Sequence, residues 1–187
     1  EPYDRLLFRD GKVDPGETLA ETAAREIFEE TGIRVCLGIP VGVSRYRMPN
    51  KRQKIVHYWA AEATDQAIRA SAFVPNKEIA ALEWVGPKRA LKHLSYPVDV
   101  EILENFLKFV DDGILQTFPV VVLRHGKATP REDWDGPDAT RPLTSRGTKQ
   151  AASIVGPLQA FGVRKIVSSD AVRCVTTVTP LAAAVGK

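Results

Sequence analysis

The sequence predicts a protein of the α/β class, built from two domains that meet near Gly113. Three observations carry that expectation. The first half holds an acidic amphipathic helix followed by two strand-like stretches. The second half runs strand, helix, strand, helix, the order of a parallel α/β unit. Between them, Asp111-Asp112-Gly113 interrupts both rhythms and marks a boundary. The domains are therefore expected at residues 1–113 and 114–187.

The elements follow in order. Residues 17–31 read as a helix, because Ala20, Ala23, Ala24, Ile27 and Phe28 fall on one face and Gly32 stands where a left-handed C-terminal cap belongs. Residues 41–46 and 55–61 predict two strands around a loop with Pro49 and Asn50. Residues 81–85 predict a short strand. Residues 98–110 predict a helix with Val98, Ile102, Leu103, Phe106 and Phe109 as its apolar stripe. Beyond the boundary, residues 118–123 are a continuous apolar run that suits a buried parallel strand, and residues 165–169 are expected to form a second buried strand. Residues 147–161 and 171–184 predict the helices between and after them.

Composition narrows the class. The 187 residues are 44% apolar and 26% charged, as in ordinary globular proteins. No run approaches the roughly 18 apolar residues of a membrane span. No charged-then-apolar leader opens the given sequence, so no targeting segment is expected in it, and its cysteines point to the cytoplasm. Cys36 and Cys174 are far apart and are expected to be buried free thiols of a reducing compartment. The net charge of +3 divides into −2 for residues 1–113 and +5 for residues 114–187. So small an excess argues against direct nucleic-acid binding. One basic cluster stands out: Arg45, Arg47, Lys51, Arg52 and Lys54. It suits either a solvated hairpin tip or an edge for a polyanion such as a nucleotide polyphosphate.

Glu26, Glu29 and Glu30 lie three and four residues apart on one arc of the first helix. Like charges so placed repel. A divalent cation removes that cost, and carboxylates plus waters are what Mg²⁺ takes when it also binds phosphates. The wider spacing is fuller still. Gly11, Glu17, Arg25-Glu26-Ile27, Glu29-Glu30 and Gly32-Ile33 match every specified position of the Nudix box, a coincidence on the order of 10⁻¹⁰ per start position from average residue usage. The segment closely resembles the Nudix hydrolases.

That resemblance implies an α/β/α sandwich, here without its first strands, and Mg²⁺-dependent hydrolysis, with Mn²⁺ as the alternative ion. It implies Glu26, Glu29 and Glu30 as metal ligands, one of Glu26 and Glu29 also handling the attacking water. The Asp10 carbonyl would complete the coordination, and Glu78 is a further candidate ligand. Arg25 and Glu17 would orient the carboxylates. Lys12, Arg45, Arg47 and Lys54 are the expected phosphate contacts, and Tyr46 and Tyr58 are candidates for stacking on a base.

In the second half, Arg124-His125-Gly126 follows the first apolar run. A loop at the carboxyl end of a parallel strand is where α/β folds place ligands. With Arg141-Pro142-Leu143-Thr144 and residues 168–174, it resembles the histidine phosphatase superfamily over residues 118–187. The resemblance implies His125 as the nucleophile and Arg124 and Arg173 as the phosphoryl grip. No histidine follows His125, where the family carries a second one, so this domain is expected to be incomplete and inactive. Together the two resemblances imply an enzyme that hydrolyses nucleoside polyphosphates and clears oxidised guanine nucleotides such as 8-oxo-dGTP and 8-oxo-GTP. A dinucleoside polyphosphate hydrolase is the second expectation, and a nucleotide- or phosphate-binding fragment without catalysis is the third.

Overall fold

A computed structural model describes residues 11–75 and 79–186. The packing divides into two compact units, residues 1–118 and 119–187. In the first unit, α1 spans Leu19–Thr31. It starts where Thr18 and Glu21 form a reciprocal capping box, which satisfies two otherwise orphaned N–H groups. It ends at Gly32, whose φ of 67° lets its N–H reach the Phe28 carbonyl at 2.7 Å. The buried face differs from the expected one. Ala20, Thr22 and Thr31 are buried, whereas Phe28 is exposed and lies 4.2 Å under the Arg34 guanidinium. A cation over the ring covers a surface that the core does not.

Strands β1 (Cys36–Arg47) and β2 (Gln53–Glu62) form an antiparallel pair. Both are longer than the sequence suggests. Pro40 has no N–H for the ladder, and the register shifts on either side of it. Pairing nonetheless resumes at Leu37, which is buried. The same alternation corrects the cysteine expectation: Cys36 is exposed beside buried Leu37, and Cys174 is half-buried, both as free thiols.

Two short helices, α2 (Asp65–Arg69) and α3 (Pro87–His93), went unpredicted. They are too short for a periodic signal and are set by their starts, a Thr64 cap and a Pro at the first turn. Residues 81–85 form no strand, which corrects that expectation. The sheet of the described residues is the β1–β2 pair alone, and a five-residue stretch without a ladder neighbour has nothing to hold it as a strand.

Helix α4 (Pro97–Asp111) buries Ile102 and Leu103. Gly42 makes room for it, since a Cβ there would sit 2.5 Å from Ile102 Cδ1. Thus α4 covers the hairpin face that carries Gly42, Ser44, Val56 and Tyr58.

In the second unit, residues 118–123 and 165–169 are not paired as strands. Val120 and Val122 are 77% and 97% exposed. A cavity of about 280 Å³ is lined by residues of both segments. The sequence marks them as strand-like, but pairing needs a neighbour at hydrogen-bonding distance. The expected helix 147–161 is two helices, α5 (Ser145–Ser153) and α6 (Val155–Ala160). Pro157 lacks the N–H that would bond Ser153, and its ring crowds that carbonyl. Helix α7 (Val172–Ala184) falls where the sequence places it.

Leu103 is fully buried, so Leu103→Ala should cost about 2–5 kcal/mol. Urea denaturation checks this. A loss below about 1 kcal/mol would show that α4 does not anchor the first unit.

Candidate active site

The box residues converge on one side chain. Arg25 Nε donates to Glu17 Oε1 at 2.8 Å, and Nη2 donates to Glu17 Oε2 at 3.0 Å. Nη1 donates to Glu26 Oε1 at 3.1 Å and Glu29 Oε2 at 2.8 Å. Nη2 also reaches the Lys12 carbonyl at 2.9 Å. The planar fork of a guanidinium suits this role, because it delivers several donors in fixed directions. Helical spacing explains only the Glu29 contact, at i and i+4. Glu17 reaches Arg25 from the turn before the helix.

The loop is tied down as well. Lys12 N–H donates to Glu26 Oε1 at 3.1 Å. Gly11 must be glycine here, because a Cβ would collide with the Glu26 side chain. Lys12 thus joins the site through its backbone. Buried Thr22 donates its hydroxyl to Glu17 Oε2 at 2.9 Å, a support that sequence reading missed. Glu30 lies on the same arc of α1, one position after Glu29. Asp10 and Glu78 lie outside the described residues. Among the described residues no group of three or more metal-ligating side chains is assembled. Arg25 occupies one oxygen of Glu26 and one of Glu29 and relieves part of their repulsion.

The hairpin separates residues that the sequence groups together. Arg45 pairs with Ile55, Tyr46 with Lys54 and Arg47 with Gln53. Side chains alternate across a strand, so Arg45 and Arg47 share one face while Tyr46 and Lys54 share the other. Lys54 Nζ lies 5.9 Å over the Tyr46 ring. On this second face the Tyr58 hydroxyl is 3.4 Å from both Ser44 Oγ and Asp99 Oδ1. Burial pushes the Tyr58 pKa up. Asp99, in the first turn of α4, was not singled out from sequence, since a first-turn acid is ordinary for a helix.

In the second unit His125 Nδ1 lies 2.8 Å from the Gly126 carbonyl. A carbonyl only accepts, so Nδ1 is the donor in this contact, which leaves Nε2 as the ring nitrogen for another partner. Gly126 N–H donates to Thr177 Oγ1 at 3.0 Å, which ties this loop to α7. Arg173 is held by Asp138, through its carbonyl at 2.7 Å and its carboxylate at 2.9 Å. Arg124 is exposed at the end of the apolar run.

Comparison with known proteins follows these two clusters. The NUDIX domain matches residues 4–106, more than half of the chain. The chain belongs to the Nudix family. Residues 120–187 of this Nudix protein match the histidine phosphatase superfamily (branch 1). It is 41% identical over 180 residues to an 8-oxo-(d)GTP phosphatase of Mycolicibacterium smegmatis, covering 96% of this chain and 53% of that one. It is 40% identical over 79 residues to a putative 8-oxo-dGTP diphosphatase of Bacillus subtilis, covering 42% and 48%. A bis(5'-nucleosyl)-tetraphosphatase (asymmetrical) of Rattus norvegicus is 38% identical over 79 residues, covering 41% and 52%. The chain therefore spans about half the length of these curated relatives.

Within the Nudix site, hydrogen bonds from Arg25 hold the Glu17 carboxyl at about 2, against an ordinary 4.5. The same bond, with Glu29 and Glu26, raises the Arg25 pKa. A depressed carboxylate stabilises the fold above its unfolded pKa and ceases to do so as pH falls through the folded value. Stability of the first unit should therefore decline between about pH 4.5 and 2 as Glu17 protonates. Glu17→Gln should lower stability at pH 7 and flatten that decline. Thermal unfolding across this range tests it, and an unchanged slope in the variant would remove Glu17 from the network.

Proposed function

We propose that the first unit hydrolyses nucleoside polyphosphates with a bound Mg²⁺, and that its substrates are oxidised guanine nucleotides of the 8-oxo-dGTP and 8-oxo-GTP type. The observation that supports this most is the Arg25 network, which holds Glu26 and Glu29 on one arc of α1. The donor set fits a hard divalent cation, since carboxylates are its preferred ligands. Glu26, Glu29 and Glu30 would hold it, with the Asp10 carbonyl and Glu78 as further candidates. When bound, Mg²⁺ would supply charge to the bridging phosphate oxygens. The guanine preference is supported by the names of the first two relatives.

The chain's own residues divide the remaining work. Arg25 fixes the carboxylates in advance, so the reaction need not pay for ordering them. Glu26 accepts two hydrogen bonds on one oxygen, which fixes it in place. Glu29 accepts one from Arg25 and is 56% exposed. Glu29 is therefore the carboxylate better placed to take a proton from an attacking water. The exposed end of that hairpin face, at Tyr46 and Lys54, would receive the nucleotide, Lys54 meeting phosphate and Tyr46 the base, while Tyr58 and Asp99 support it where α4 packs. In the second unit His125, Arg124 and Arg173 would bind a phosphoryl group, with Nε2 of His125 toward phosphorus. No helix of the described residues is long and apolar enough to cross a membrane. We place the activity in the cytoplasm, where nucleotide pools lie.

Glu29→Gln keeps shape while removing a charge, so turnover should fall by roughly 10²-fold or more. Release of phosphate or pyrophosphate from 8-oxo-dGTP measures it, and full activity in the variant or in excess chelator would refute the proposal. The split hairpin makes a second prediction. Lys54→Ala should raise KM in a salt-dependent way, while the Arg45→Ala/Arg47→Ala double variant should leave KM within about twofold. The reverse pattern would place the nucleotide on the opposite face.

A further inference from the structure

We infer that Asp138 is a positioning residue for phosphate binding in the second unit, holding the Arg173 guanidinium in the orientation that a phosphoryl group requires. The inference rests on the proposed role of Arg173 as a phosphoryl grip. Asp138 lies in a short 3₁₀ turn, Asp138–Thr140. It touches Arg173 twice, accepting from Nη1 at its backbone carbonyl and from Nη2 at Oδ2. Its other carboxylate oxygen, Oδ1, accepts from Arg141 Nε at 2.9 Å. One acid therefore organises two arginines, each with a side chain only 16% exposed.

The surroundings point toward His125. Arg141 Nη1 donates to the Thr129 carbonyl at 2.7 Å. Thr129 N–H in turn donates to the Pro142 carbonyl at 3.0 Å, next to an isolated bridge between Ala128 and Leu143. The Asp138 turn is thus fastened to the segment that leaves the Arg-His-Gly loop. From the other side, Thr177 Oγ1 donates to the Arg173 carbonyl and accepts from Gly126 N–H. The backbone of Arg173 is anchored to the residue after His125, and its guanidinium is anchored to Asp138.

The donors that remain suit a ligand role. Asp138 takes one hydrogen from each of Nη1 and Nη2 of Arg173, and each of these nitrogens carries a second N–H that can meet an oxyanion. An arginine binds an oxyanion well when its fork is already oriented, because little side-chain freedom is then lost on binding. Removing Asp138 also adds net positive charge, which by itself favours an anion. Asp138 is 49% exposed, so solvent screens that gain and the loss of orientation dominates.

The test titrates the full chain with inorganic phosphate and follows the His125 imidazole resonances by NMR. The variants are Asp138→Ala, Asp138→Asn, Arg173→Ala and the Asp138→Ala/Arg173→Ala double variant, with thermal unfolding confirming that each is folded. Freeing one long side chain should weaken phosphate binding by up to about tenfold. The effect should be smaller in Asp138→Asn, which keeps the shape, and absent when Arg173 is already alanine. Three results overturn the positioning role alone, given binding that needs Arg173: unchanged affinity in both Asp138 variants, tighter binding in either, or equal loss with and without Arg173. The last would mark Asp138 as a simple staple. If the unaltered chain shows no phosphate response at His125, or if Arg173→Ala responds like it, the phosphoryl-grip reading fails and this inference falls with it.

Discussion

One arginine among four glutamates sets the terms of the first unit. Glu17, Glu26, Glu29 and Glu30 crowd the start and one arc of α1, and Arg25 meets three of them. Without it, neighbouring carboxylates would repel and turn outward to solvent. With it, Glu26 and Glu29 are fixed by one oxygen each, and the glycine loop is drawn in through the Lys12 carbonyl. Glycine at position 11 follows from this, since the loop must pass against the Glu26 side chain. The capping box and the left-handed Gly32 then fix where the helix begins and ends.

Beside this helix lies the hairpin, and its pleat decides which side chains stand together. Tyr46, Lys54 and Tyr58 share one face, and α4 packs on it at Gly42 and Tyr58, where Asp99 meets the Tyr58 hydroxyl. Arg45 and Arg47 lie on the other. A basic cluster within ten residues of sequence therefore becomes two separate sets, and charge density along a chain says little about a binding site until strand parity is applied.

Much of this was legible in the residues. The box spacing singled out Arg25, Glu17, Glu26 and Glu29, which the structure joins in one hydrogen-bonded network. Helices α1, α4 and α7 were legible from period and caps. Ladder pairing was not. Residues 81–85, 118–123 and 165–169 read as strands, yet a strand exists only with a neighbour, and composition cannot supply one. Short α2 and α3 were hidden for the converse reason, since one or two helical turns carry no clear period. The parity that splits Arg45 and Arg47 from Tyr46 lies within one strand and was legible, but placing Lys54 beside Tyr46 needs the β1–β2 register. Asp138 and Asp99 were hidden because their partners lie 35 and 41 residues away, and nothing local marks such contacts.

A Mn²⁺ titration followed by paramagnetic broadening of backbone amides tests most directly whether the Arg25 network prepares a cation site. Sub-stoichiometric Mn²⁺ should broaden residues 26–30 and the loop at residues 11–12 first, and excess Mg²⁺ should restore them. Broadening spread evenly over exposed acids such as Glu101, Glu104, Asp111 and Asp112, or no selective effect on α1, would contradict the network's role in binding a divalent cation.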